Sequence, residues 1–124
     1  MAWILVGLGG ALGSMARHGL NQFIHQRTLS STFPVGIFVA NVLGSAAIGG
    51  LTGLIASGRW HASYQTRTFL IVGVLGGFTT FSSFSFDTLA LMRQGHVAQA
   101  IWNVTGQVAL SLLAVSLGFR LTGG

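Results

Sequence analysis

Four long apolar stretches, separated by short polar connectors, organise the chain. They run from about Ala2 to Phe23, Phe33 to Ser57, Thr68 to Met92 and Val97 to Leu121. Each is close to the roughly 20 residues that an α-helix needs to cross a bilayer. The connectors "NQFIHQRTLSST", "GRWHASYQTR" and "RQGH" are polar and short. Pro34 stands at the head of the second stretch, where a first-turn proline costs a helix little. The pattern predicts an all-α membrane protein, one domain over residues 1–124, with four transmembrane helices.

Composition supports lipid as the solvent. Hydrophobic residues make up 51% of the 124 and charged residues 6%, against about a quarter charged in a soluble domain. There is no cysteine, hence no disulfide. The +5 formal charge comes from six scattered arginines and no lysine. That excludes a basic patch of the kind that binds nucleic acid. The first apolar run lacks a basic leader and is followed by further spans, unlike a signal peptide. Trp3, Trp60 and Tyr64 fit an interfacial aromatic belt, and His18, His25, His61 and His96 lie near span ends.

Charge also bears on assembly. With four spans, one side of the membrane holds Arg59, Arg67 and Arg120, and the other Arg17, Arg27 and Arg93. Three against three leaves the positive-inside rule nothing to act on. Four short helices enclose little of a pathway alone, so the balance predicts an antiparallel, dual-topology homodimer. Small residues at four-residue spacing (Gly9 and Gly13; Gly36, Ala40 and Gly44; Gly49 and Gly53) predict close helix packing.

Polar residues inside the spans are the candidate chemistry, because they are costly in lipid and face protein or water. Asn41 lies mid-span, either as an interhelical hydrogen bond or as a donor lining a pathway. Asn103, Gln107 and Ser111, four apart, form one stripe on the last helix. Arg17 either snorkels to the headgroups or lines an anion-attracting vestibule. Asp87 is the only carboxylate, and one carboxylate supplies no acid–base pair. No phosphate-cradling loop or serine triad is present, so the reading is not an enzyme.

"GGFTTFSSFSFD", residues 76–87, breaks the third span near its middle. Glycine and β-branched threonine weaken a helix. Irregular backbone at that depth survives only when buried in protein or lining a cavity. Its freed carbonyls need donors or a cation, and a break near a two-fold axis would present them twice. Phe81 and Phe84 share a face, either as plain packing or with their positive ring edges toward an anion. Ser82, Ser83 and Ser85 add hydroxyls nearby.

These segments resemble the CrcB/Fluc family of fluoride channels over essentially the whole chain. "GGALGSMAR" (9–17) resembles the family's first-helix signature, "GIFVANVLGS" (36–45) its second, and "GGFTTFSSFSFD" its third-helix break. The resemblance implies an antiparallel homodimer in the bacterial plasma (inner) membrane that passes fluoride out of the cell down its gradient. It implies a fluoride pathway of Phe81, Phe84, Asn41, Ser82, Ser83, Asn103, Gln107 and Ser111, with Arg17 at a vestibule. It further implies a structural Na+ at the dimer centre, held by backbone carbonyls of Gly76 and Thr79. Some members carry a hydroxyl where this chain has Ile37. The competing readings are a proton-coupled small multidrug exporter, which needs a carboxylate in the first helix that this chain lacks, and a non-transporting assembly factor.

Overall fold

The computed structural model describes all 124 residues and contains helices joined by short turns. Helix α1 spans Ala2–Arg27 and α2 spans Val35–Ala56. The third segment, Tyr64–Arg93, is not one helix. It opens with an α turn, Tyr64–Arg67, passes into a π-helix, Thr68–Leu75, and returns to an α turn, Gly76–Phe78. These three pieces (64–78) run on without interruption and are together α3. Thr79 and Thr80 are extended, and α4 resumes at Phe81–Arg93. Helix α5 spans Val97–Gly123.

The expected boundaries hold to within a few residues, and the shifts have local causes. Helix α1 runs on to Arg27, four residues past the apolar stretch, because polar residues do not by themselves end a helix. Pro34 occupies the N-cap of α2 rather than its first turn. The third segment begins early because the Ser63 hydroxyl accepts the Thr66 N–H at 3.1 Å and caps it. Helix α4 ends on Gly95 at φ 83°, where the His96 and Gly95 amides close back onto the Leu91 and Met92 carbonyls. That is a glycine C-cap, and it turns the chain directly into α5.

Helix α5 lies along α2, while α1 lies along α3 and α4 lies against α5. Glycines set the two longest contacts. A Cβ on Gly9 or Gly73 would lie 2.9 Å from the other's Cα, so α1 and α3 meet backbone to backbone. A Cβ on Gly49 would fall on the Val115 carbonyl, and one on Gly118 on the Ala46 carbonyl, so α2 and α5 do the same. The four-residue spacing anticipated close contacts; the partners emerge only in the fold.

Only 14 of 124 residues are buried, and Asn103 and Gln107 are among them, while Trp3, Trp102 and Leu121 are largely exposed. So many large apolar side chains left outside mark a surface that faces lipid or a partner rather than water. Three segments are long and apolar enough to cross a membrane: Val35–Ala56, Tyr64–Arg93 and Val97–Gly123. Helix α1 has the length, about 39 Å at 1.5 Å per residue, but its second half carries Arg17, His18, Asn21, Gln22 and His25.

Candidate functional site

The break in the third segment falls at Thr79 and Thr80, within the stretch that glycine and threonine mark in the sequence. It creates two facing helix ends. The carbonyl end of α3 is electronegative, and the N–H end of α4 is electropositive. Each end leaves backbone groups without helical partners, and side chains from elsewhere satisfy several of them.

Asn41, on α2, clamps the break. Its Oδ1 accepts the Thr80 N–H at 2.9 Å and its Nδ2 donates to the Thr80 carbonyl at 3.1 Å. One side-chain amide thus pairs with both groups of the irregular residue. Thr80 in turn caps α4, its hydroxyl accepting the Ser83 N–H at 3.2 Å. On the α3 side, the Arg17 guanidinium donates to the Gly77 carbonyl at 2.9 Å and the Thr79 carbonyl at 3.4 Å. A permanent cation therefore sits on the negative end of α3, reached across 60 residues of sequence.

From Asn41 a chain of hydrogen bonds runs into the core between α2, α4 and α5. Asn41 Nδ2 donates to Gln107 Oε1 at 2.7 Å, and Gln107 Nε2 donates to Asn103 Oδ1 at 2.9 Å. Asn103 Nδ2 donates to the Thr88 hydroxyl at 3.0 Å, which donates to the Phe84 carbonyl at 2.8 Å. Asn103 is fully buried and Gln107 nearly so. Satisfying each polar group is what makes their burial tolerable.

An open groove of about 410 Å³ lies along the break. It brings together Asn41, Gly76, Thr79, Phe81, Phe84, Gln107 and Ser111 from the sequence-predicted set, with Thr80 beside them. The Phe81 ring is 78% exposed and stands 5.4 Å from the Phe84 ring, tilted by 56°. Four predicted positions lie outside it: Arg17, bonded to the end of α3, and three others. Asn103 sits behind Gln107 and does not line the groove. Ser82 and Ser83 line a second cavity of about 440 Å³ with Asn21, Ile37, Phe86 and Asp87. In that cavity the Asp87 Oδ2 is buried without a hydrogen-bond partner.

Sequence reasoning missed Thr80 and Thr88. Thr80 had a signal, since a threonine three residues before a serine at a helix restart is a cap pattern. Thr88 had none: a threonine in an apolar helix ordinarily bonds its own backbone, and only the fold brings Asn103 to it.

Comparison with known proteins follows the same lines. The model of a family described as "CrcB-like protein, Camphor Resistance (CrcB)" matches residues 4–119. A fluoride-specific ion channel FluC of Thermus thermophilus is 47% identical over 121 residues, which span 98% of this chain and 93% of that protein. Another FluC, from Paramagnetospirillum magneticum, is 48% identical over 119 residues, 95% of this chain and 92% of its own. A third, from Opitutus terrae, is 47% identical over 117 residues, 94% of this chain and 88% of its own.

Proposed function

The chain belongs to the CrcB-like family, and on that basis we propose that it is a fluoride-selective channel, not an enzyme. It lets cytoplasmic fluoride leave passively down its electrochemical gradient and so protects the cell from fluoride. The observation that carries the reading is the groove along the mid-span break, where an exposed and a half-buried phenylalanine, an amide clamp and a helix N-terminus converge. An anion stripped of water needs weak positive groups, and this groove supplies them without a carboxylate. The α4 N-terminus offers a positive end, the Phe81 and Phe84 rings offer positive edges, and Arg17 adds charge beside the break. Weak, distributed donors let an ion enter and also leave.

The groove is open on the single chain, and the exposed Phe81 ring is unshielded. A second, antiparallel copy would close it and complete four spans per chain into two enclosed pathways. The balanced arginines support that arrangement, and the membrane it would occupy is the bacterial inner membrane. Carbonyls of Gly76 and Thr79 fit the oxygen donor set of a hard cation such as Na+. Both residues line the groove, and Thr79 shares its carbonyl with Arg17 at only 3.4 Å. Two copies would supply four such oxygens. A cation there would tie the breaks of the two copies together and stiffen the dimer centre.

The reading is tested in cells that lack their own fluoride exporter. Expression of this chain should restore growth in fluoride medium, and Phe84→Ile should restore it only in part. Equal growth with and without the chain, at equal protein levels, would overturn it.

A further inference from the structure

The direction of the hydrogen-bond chain is dictated by the backbone. The Thr80 peptide offers one N–H and one C=O to Asn41, so the amide must present Oδ1 to the first and Nδ2 to the second. The remaining Nδ2 hydrogen then points to Gln107, which must answer with Oε1. Its nitrogen is in turn committed to Asn103 Oδ1, and Asn103 Nδ2 to the Thr88 hydroxyl. Thr88 completes the series by donating to the Phe84 carbonyl. No amide in this series can flip without stranding a buried group next to it, and such stranding is expensive. Bonds that all run one way also strengthen one another.

This arrangement leaves Asn41 with no N–H for an anion. An amide nitrogen carries two hydrogens; one serves Thr80 and the other serves Gln107. An anion offers only lone pairs, so it gains an Asn41 N–H only by displacing an acceptor. Of the two, the Gln107 oxygen is the one on a side chain that can swing away, whereas the Thr80 carbonyl is fixed in the backbone. Both side chains line the groove, so the exchange takes place where the ion would pass. We infer that Gln107 is a resident acceptor that competes with the permeating anion for Asn41, and that Asn103 and Thr88 are the positioning residues that hold it in that role. The inference rests on the fluoride-channel reading and reverses the part that a polar groove residue suggests: Gln107 opposes tight anion binding instead of contributing a donor to it. A competitor of this kind keeps the site from trapping its ion, which conduction requires.

The test is the initial rate of fluoride efflux from proteoliposomes against internal fluoride concentration, which separates half-saturation from maximal rate. Gln107→Met removes the competing oxygen at similar volume. It should lower the half-saturating concentration roughly two- to tenfold, the reach of one net hydrogen bond. Gln107→Glu makes the competitor anionic and should raise it or abolish efflux. Thr88→Val removes the last link and should shift half-saturation the same way as Gln107→Met, whereas Thr88→Ser should keep the wild-type value. If methionine at position 107 does not yield folded protein, the two Thr88 variants carry the test alone. A Gln107→Met channel with unchanged or raised half-saturation overturns the inference, since packing or direct donation would then explain the residue. Folded wild-type protein that releases no fluoride would instead overturn the channel reading beneath it.

Discussion

At the scale of single residues, Asn41 does the most. Sequence alone showed a lone amide in mid-span and left open whether it bonds a helix or lines a path. In the fold it bonds the broken backbone itself and also faces the groove. Asn41→Ala should leave the Thr80 N–H and carbonyl without their partner, at about 1–3 kcal/mol for each stranded buried group. Thermal unfolding in detergent should show the loss of stability and fluoride efflux should fall at least roughly tenfold, or about 1.4 kcal/mol. Asn41→Asp is a sharper probe, because a carboxylate cannot donate to the Thr80 carbonyl and carries charge that repels an anion. It should abolish efflux; an Asn41→Asp channel that conducts like the wild type contradicts the clamp. Phe81→Ile and Phe84→Ile keep bulk but lose the ring edges, and each should reduce efflux by up to roughly tenfold, the scale of a specific aromatic interaction. Arg17 shows where residue-level reading runs out. Its commitment to the Gly77 and Thr79 carbonyls joins positions 60 and 62 apart, and no local pattern reports such a contact.

At the scale of elements, the break was the best-marked feature, because Gly76, Gly77, Thr79 and Thr80 each weaken a helix for reasons that act locally. The π-helix before it was not marked. Thr68–Leu75 (TFLIVGVL) is mostly apolar with one glycine, and nothing in its pattern announces the wider hydrogen-bond register. Glycine spacing told that helices approach closely without telling which glycines matter. The fold separates them: a Cβ on Gly49 would strike the Val115 backbone, whereas one on Gly50, its neighbour, would meet nothing within 4 Å. Gly49→Val should therefore pry α2 from α5 and destabilise by at least the roughly 1–3 kcal/mol of an overpacked contact. Gly50→Ala should be neutral or slightly stabilising, by up to about 1 kcal/mol from helix propensity. Melting temperatures of the two variants in the same detergent decide the matter, and equal destabilisation would refute the packing described.

At the scale of the whole molecule, one chain leaves its groove open and its apolar surface uncovered. In the proposed four-span arrangement three arginines fall on each side, a balance that would let copies insert either way round. Shifting that balance should matter more than any one charge. Arg59→Ser with Arg67→Ser should orient the chain one way, and Arg27→Ser with Arg93→Ser the other. Each pair alone should give little fluoride efflux, and co-expression of the two should restore it. Full activity from either alone would argue against an antiparallel dimer. The all-helical, membrane-length architecture and its break were readable from apolar length and helix-weakening residues, and Asn41 and Gln107 from their polarity in mid-span, while the hydrogen-bond series depends on how α2, α4 and α5 meet. Ion selectivity is the property that all of these features are held to serve. It is measured most directly in proteoliposomes loaded with equal fluoride and chloride, with ion-selective electrodes following both ions after the membrane potential is released. Fluoride should leave rapidly while chloride stays; equal release of the two, or release of neither by folded protein, would contradict the account.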